Sequence, residues 1–189
     1  MFPAACIHGR FQVLHRDHLV YFREAAAKYG RLYIGLTAQR QDLTGRSDRE
    51  TAERNPLTYW ERVEMWRRTL TELDDRLDHV IGPFPIERPD LLVDYVPRSC
   101  VCATTIRDDW NSEKIQRLGA AGYEVDVLFT DYDKAISGTD IRQTILSGSS
   151  DWTKLVTPRV AEFLIEINIA ARLRATSPPF LGDAERTSG

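Results

Sequence analysis

The chain has 189 residues, 42% hydrophobic and 28% charged, with four tryptophans, a composition that suits one globular domain with a good core and excludes a fibrous or disordered chain. No apolar run approaches the roughly 18 residues that span a bilayer, and the N-terminus lacks the charged-then-apolar order of a secretory signal, so a cytoplasmic protein with no membrane partner is expected. A net charge of −3 without a basic stripe argues against a nucleic-acid partner, because such binding runs on clustered Lys and Arg.

Short apolar runs alternate with longer amphipathic ones. Strands are expected at Ala4 to Ile7, Leu32 to Leu36, His79 to Gly82, Cys100 to Ala103 and Val125 to Phe129. Helical patterns lie between them, near His18 to Tyr29, Thr58 to Leu73, Pro89 to Val96 and Asn111 to Ala121. Strand and helix in alternation imply an α/β fold, a Rossmann-like, doubly wound parallel sheet of about five strands. From Thr139 onward the pattern is wholly helical, with Ile141, Ile145, Val160, Phe163, Leu164 and Ile167 at helix spacing, which gives the sheet a C-terminal helical cap. Arg40 to Asn55 is polar and without apolar period, a surface loop of the kind that closes over substrates. One domain over residues 1–174 is expected, with 175–189, rich in Pro, Gly and Ser, as a disordered tail. Cys100 and Cys102 are two apart on a strand, so they share a face. A shared metal is conceivable, but without further Cys or His nearby these and Cys6 read as buried core thiols.

The first strand runs directly into Gly9-Arg10-Phe11-Gln12-Val13-Leu14-His15-Arg16-Asp17-His18, after which a helix begins. In a doubly wound sheet this turn lies at the carboxyl edge, where anionic ligands meet a helix N-terminus. His15 and His18, three apart at that helix start, can both face one anion and donate hydrogen bonds to a bridging oxygen and an α-phosphate. A metal site is the other reading of such a pair, but no Glu-flanked H-E-x-x-H and no third ligand stand near it. Further along, in Ile136 to Arg142, Ser137 or Thr139 can cap a helix, Gly138 lets backbone N–H groups approach an anion, and Arg142 lies one turn in.

GRFQVLHRDHL, Gly9 to Leu19, resembles the G-R-F-Q-P-x-H-x-G-H-L motif of the nucleotidylyltransferase superfamily, especially the archaeal-type nicotinamide mononucleotide adenylyltransferases. ISGTDIR, Ile136 to Arg142, resembles that family's second signature, S-G-T-x-I-R, which grips the outer phosphates. NPLTYWERVEM, Asn55 to Met65, is similar to its N-P-F-T-x-x-E-R-x-x-M segment, and WTKLVTP, Trp152 to Pro158, to W-x-x-L-V-P; the likeness runs from Ile7 to about Ile167. On this resemblance Arg54 takes the place of a loop arginine that contacts phosphate, and Trp152 belongs to the core.

Four departures bear on the substrate. Val13 replaces a proline, loosening the turn. Asp17 replaces the glycine between the histidines and should alter base or ribose recognition. Leu92 stands where the archaeal-type enzymes have a tryptophan that stacks on nicotinamide, a contact worth about 1 kcal/mol. ATTIRDDWNSEK, Ala103 to Lys114, replaces the family's S-G-N-P segment. There Arg107 with Asp108 and Asp109 could read cytosine, by donation to O2 or N3 and acceptance from N4, and Trp110 could stack; equally, Asp109 or Asn111 could merely cap the next helix. Among relatives the chain then looks most like the cytidylyltransferases of phosphonate-antibiotic pathways.

The resemblance implies nucleotidylyl transfer with Mg²⁺: a phosphate or phosphonate oxygen attacks the α-phosphorus of an NTP, CTP favoured and ATP possible, and pyrophosphate leaves. His15, His18 and Arg142 would be catalytic. Gly9, Arg10, Phe11, Gln12, Asp17, Ser137, Gly138, Thr139, Arg107, Asp109 and Trp110 would bind the nucleotide, and Thr37, Arg54, Leu92 and Thr104 the acceptor, with no resident metal. Nicotinamide mononucleotide is the alternative acceptor. A non-catalytic nucleotide sensor is the rival of another class, and a class I aminoacyl-tRNA synthetase, which shares the histidine motif, would need a longer and more basic chain. Relatives are often oligomers, so a homo-oligomer is possible by analogy.

Overall fold

The computed structural model describes residues 3–38, 51–73, 78–106, 109–129 and 136–176, with only the backbone of 109–111. Strands β1 (Ala5–Gly9), β2 (Leu32–Leu36), β3 (His79–Pro83), β4 (Val101–Thr105) and β5 (Val125–Phe129) form one parallel sheet in the order β3-β2-β1-β4-β5. This is the Rossmann-like α/β architecture expected from the sequence. β1 and β2 pair from Ala5↔Leu32 to Gly9↔Leu36, and β1 meets β4 at Ala5↔Val101 and Cys6↔Cys102. The chain winds outward from β1 to β3 and then returns to start again at β4. The switch point therefore lies between β1 and β4, and its carboxyl edge is where such sheets bind ligands.

Because both faces of the sheet are covered, the central strands are apolar without alternation; all five residues of β2 are buried. On one face lie α1 (Arg16–Tyr29), α2 (Tyr59–Glu72), α4 (Gly138–Leu146), α5 (Pro158–Glu166) and α6 (Ile169–Thr176), sharing a core with Ala5, Ile7, Leu32, Ile34 and Leu36 of the strands. The other face carries α3 (Asp109–Ala120) and a 3-10 turn at Pro89–Asp94, around Cys6, Tyr33, Phe84, Leu92 and Cys102. All three cysteines are fully buried thiols, with Cys6 Sγ 3.3 Å from Cys102 Sγ, and burial pushes the Cys6 thiol well above its ordinary range. They are core residues, as read from the sequence.

Several boundaries shift for local reasons. Pro89 to Val96 forms only the 3-10 turn, bounded by Pro89 at its start and Pro97 beyond it. The C-terminal helices are separate because Asn168 adopts φ 50°, a left-handed conformation that ends α5. α6 runs on through Thr176, two residues into the stretch expected as tail, because Ala175 suits a helix and the Thr176 hydroxyl donates to Arg172 O and Leu173 O; the remainder lies outside the described residues, as do residues 40–50 of the expected loop. Trp152 is in the core. The helical cap is tied to the sheet side through Arg172, which donates to Glu61 at 2.7 Å and to Pro56 O at 3.1 Å.

Gly35 marks the tightest approach of β2 to what covers it. A Cβ there would stand 2.8 Å from the Cβ of Phe84 and 2.7 Å from its ring, with no flexible atom to move aside. Gly35→Ala is expected to destabilise the fold by about 1–3 kcal/mol, read as a lower urea midpoint with an unchanged m value.

Candidate active site

The turn after β1 and the start of α4 meet at the switch point. His15 is the N-cap of α1, 1% exposed, and its backbone N–H donates to His18 Nδ1 at 3.3 Å while His18 N donates to His15 O at 2.9 Å. The two imidazoles are stacked, with centroids 3.7 Å apart and planes 23° apart. Phe11 supports His18 edge-on at 4.9 Å and is itself wedged against Trp66 at 5.0 Å. A histidine pair held by the helix N-terminus and by ring packing is preorganised, so it can stabilise charge without first reorganising.

The second motif caps α4 by a reciprocal box. Ser137 accepts from Asp140 N at 3.1 Å, and Asp140 accepts from Ser137 N at 2.8 Å and from the Ser137 hydroxyl at 2.6 Å. Gly138 lies directly against the first turn: a Cβ there would stand 2.5 Å from the Gln12 carbonyl oxygen and 3.1 Å from Val13 N. Arg142 crosses the same junction, donating to Gln12 O and to the Thr139 hydroxyl at 3.0 Å, and is 6% exposed. Burial, then the neighbouring charges of Arg10 and Arg54, pull its guanidinium down to about 10, which leaves it cationic at neutral pH. Arg142, the start of α4 and the turn that leads to the histidines thus meet at the Gln12–Val13 backbone, a composition suited to a polyphosphate.

Other expected nucleotide contacts have structural employment. Gln12 spends its amide on Leu57, donating to Leu57 O at 2.8 Å and accepting from Leu57 N at 2.9 Å, so it staples the first turn to the segment before α2. Phe11 is 2% exposed and acts as the wedge described above. Asp17, 5% exposed, accepts from Ile136 N at 3.0 Å and thereby anchors the segment leading into the second motif. The side chains of Phe11, Gln12 and Asp17 thus engage Trp66, Leu57 and Ile136 and brace the turn in which they stand. Gly9 ends β1, and Arg10 follows it half-buried. Of the expected acceptor residues, Arg54 is exposed, Thr37 is buried with its N–H on Gly9 O, and Thr104 is fully buried. Leu92 is fully buried in the second core with Phe84, Ile86 and Val96. Arg107, and the side chains of Asp109 and Trp110, lie outside the described residues.

Two residues escaped the sequence reading. Arg62 of α2 is fully buried and donates to Arg10 O at 3.0 Å, Thr37 O at 2.7 Å and Ala38 O at 2.9 Å, closing the ends of β1 and β2 around one cation. Burial pulls it down to about 10, with Arg10 adding to the fall and Tyr59 opposing it. Its only sequence signal was its place in the NPLTYWERVEM segment. The second is His8, buried on β1 and stacked on Phe84 at 4.4 Å.

The cytidylyltransferase-like family model matches residues 6–144, which include both motifs. The chain belongs to this family. It is 36% identical over 174 residues to the phosphonoformate cytidylyltransferase of Streptomyces viridochromogenes, covering 89% of this chain and 94% of that one. It is also 29% identical over 167 residues to a nicotinamide-nucleotide adenylyltransferase of Pyrococcus abyssi, covering 88% and 84%. Among solved structures, a bifunctional NMN adenylyltransferase/ADP ribose pyrophosphatase from Francisella tularensis superposes with a TM-score of 0.60 at 18% identity, over 94% of this chain and 58% of that one, which shows the shared fold. The protein is a nucleotidyltransferase of the cytidylyltransferase-like family.

For this nucleotidyltransferase the Gly138 contact is the sharpest constraint. Gly138→Ala must push α4 away from the Gln12–Val13 backbone and so separate Arg142 from the histidines. A loss of turnover of at least about 10-fold, a shift of about 1.4 kcal/mol or more in transition-state stabilisation, is expected in steady-state pyrophosphate release, with the far-ultraviolet circular dichroism unchanged.

Proposed function

We propose that the protein transfers CMP from CTP to a small phosphonate, phosphonoformate or a close analogue, and releases pyrophosphate. The observation that carries this reading is the junction of His15, His18, Gly138 and Arg142 in a chain 36% identical to a phosphonoformate cytidylyltransferase over nearly the whole of both lengths. The departures in sequence favour the same reading: Leu92 provides no aromatic face for nicotinamide, and Arg107 with Asp108 to Trp110 offers groups that suit cytosine.

An ionised phosphonate oxygen is already a nucleophile, so transfer needs no general base. The acceptor oxygen attacks the α-phosphorus in line, the bond from that phosphorus to the bridging oxygen breaks, and pyrophosphate departs with the electron pair. His15 and His18 stabilise the α-phosphoryl charge and the leaving oxygen. Arg142 and the N–H groups at the start of α4 hold the outer phosphates, and Arg10 and Arg54 add cationic charge beside them. Mg²⁺ would enter as the counter-ion of the triphosphate. The chain's own donors around the phosphate position are imidazole, guanidinium and backbone N–H, and the nearby Asp140 is committed to Ser137.

Nicotinamide mononucleotide adenylyl transfer is the second reading, favoured by the likeness to the Pyrococcus abyssi enzyme. Pyrophosphate release with Mg²⁺ across ATP, CTP, GTP and UTP, each paired with nicotinamide mononucleotide, phosphonoformate or hydroxyethylphosphonate, separates the two. Turnover confined to CTP with a phosphonate is expected. Turnover with ATP and nicotinamide mononucleotide would replace the proposal by the second reading, and tight nucleotide binding without any release would make the protein a sensor. His15→Ala and His18→Ala should each lower kcat by about 10²–10⁴-fold with the thermal midpoint little changed; full activity in either would remove that histidine from the chemistry.

A further inference from the structure

His8 and Thr104 are buried polar residues whose side chains no described residue satisfies. His8 is 5% exposed and Thr104 fully buried, and neither imidazole nitrogen of His8 nor the Thr104 hydroxyl has a hydrogen-bond partner among the described residues. Such groups are uncommon, because leaving a buried donor or acceptor unmade forfeits its hydration with nothing in return. Their positions are related. Cys6 and Cys102 are paired neighbours on β1 and β4, and His8 and Thr104 are each two residues further along, hence on the same face and at the carboxyl edge. That face is the one carrying Phe84 and Leu92, opposite the face that holds α1 and α4. The unsatisfied pair thus flanks the switch point from the side away from the histidine and arginine junction.

The chemistry of the pair is that of a donor set. Burial, with the charge of Lys114 adding to it, pushes the His8 imidazole well below its ordinary range, so it is neutral at neutral pH and offers one N–H. The Thr104 hydroxyl offers a second donor. Stacking on Phe84 at 4.4 Å and 7° fixes the plane of the imidazole, and the Tyr21 hydroxyl, which accepts from His8 N and donates to Ala103 O, holds the two strands together at this point. Lys114 of α3 adds positive charge within reach of His8. An imidazole N–H with its ring plane held, a hydroxyl and a nearby cation suit a compact anion.

We propose that His8 and Thr104 form the specificity-determining end of the acceptor subsite, donating hydrogen bonds to the carboxylate of a phosphonocarboxylate while its phosphonate oxygen faces the α-phosphorus from the other side of the switch point. The assignment rests on the phosphonate cytidylyltransferase reading. It gives a role to two polar groups buried at the edge of the second core.

The test uses His8→Phe, which keeps a ring to stack on Phe84, and Thr104→Val, which keeps the volume without the hydroxyl. With CTP and phosphonoformate, each variant should raise the KM for phosphonoformate by about 10-fold or more and leave the KM for CTP within about twofold. The preference for phosphonoformate over methylphosphonate, which lacks the carboxylate, should fall by a similar factor. Both variants should also be at least as thermally stable as the wild type without ligand, since each removes an unsatisfied buried group. Unchanged KM for phosphonoformate, or an equal rise for CTP, overturns the assignment; lowered stability with unchanged KM shows that buried water satisfied the pair, and overturns it too. Wild-type protein that is silent with CTP and phosphonoformate overturns the transfer reading instead. In that case the ¹⁵N resonances of the His8 imidazole, identified by their loss in His8→Phe, decide the subsite: a shift on adding phosphonoformate supports it and constancy overturns it.

Discussion

The site depends on one backbone contact, the approach of the α4 N-terminus to the Gln12–Val13 peptide. Only a residue without a side chain fits at Gly138, and the same Gln12 carbonyl that would meet a Cβ accepts from Arg142. The contact joins two segments more than a hundred residues apart in the chain, and it brings the turn that leads to the histidine pair against a guanidinium and the capped start of another helix. Every other feature of the site can be seen as holding one side of this junction in place. Gln12 fixes the first turn through Leu57, Asp17 fixes the approach to the second motif through Ile136, and Arg62 gathers the carbonyls of Arg10, Thr37 and Ala38.

The electrostatic cost of this arrangement is considerable. Arg62 and Arg142 are both buried and both bonded chiefly to neutral acceptors, backbone carbonyls and a hydroxyl. Cations so placed lose hydration that carbonyl dipoles only partly replace, which is why burial lowers both pKa values. Arg10 and Arg54 lie near enough to Arg142 to lower it further. A site charged in this way is stabilised by a polyanion, so triphosphate binding would offset a penalty already present in the fold. That is the sense in which the site is preorganised: the donors are in position before the charge arrives.

Much of this was legible in the sequence because it is written in the backbone. Alternating strand and helix patterns prescribe the sheet, and a glycine turn followed by two histidines, with a Ser-Gly-Thr before a helix, marks two helix starts at one sheet edge. What the sequence obscured is how side chains are spent. Phe11, Gln12 and Asp17 sit inside or beside the motif and read as ligand contacts, and the structure adds a bracing contact of each with protein: Trp66, Leu57 and Ile136 respectively. Nothing local distinguishes a glutamine facing a nucleotide from one facing a peptide group forty-five residues away. The 3-10 turn at Pro89–Asp94 is shorter than the helical pattern for a related reason, since its apolar residues repeat at helical spacing while flanking prolines limit its length.

Arg62 and His8 were hidden for the converse reason, because their importance arises only from strand order. Arg62 becomes a clamp because β1 and β2 are neighbours whose ends both reach α2. His8 becomes notable because β4 lies beside β1 across the switch point, bringing Thr104 to the same face. The two sheet faces then divide the work at one edge. On the function and subsite proposed above, the face with α1 and α4 would supply charge for a triphosphate, and the opposite face a smaller set of neutral donors beside Lys114. A transferase that joins two anions gains from that division. With His15, His18 and Arg142 on the triphosphate side and the neutral donors His8 and Thr104, beside Lys114, on the other, the second anion would be chosen largely by hydrogen bonds, whose geometry discriminates between acceptors more finely than net charge does.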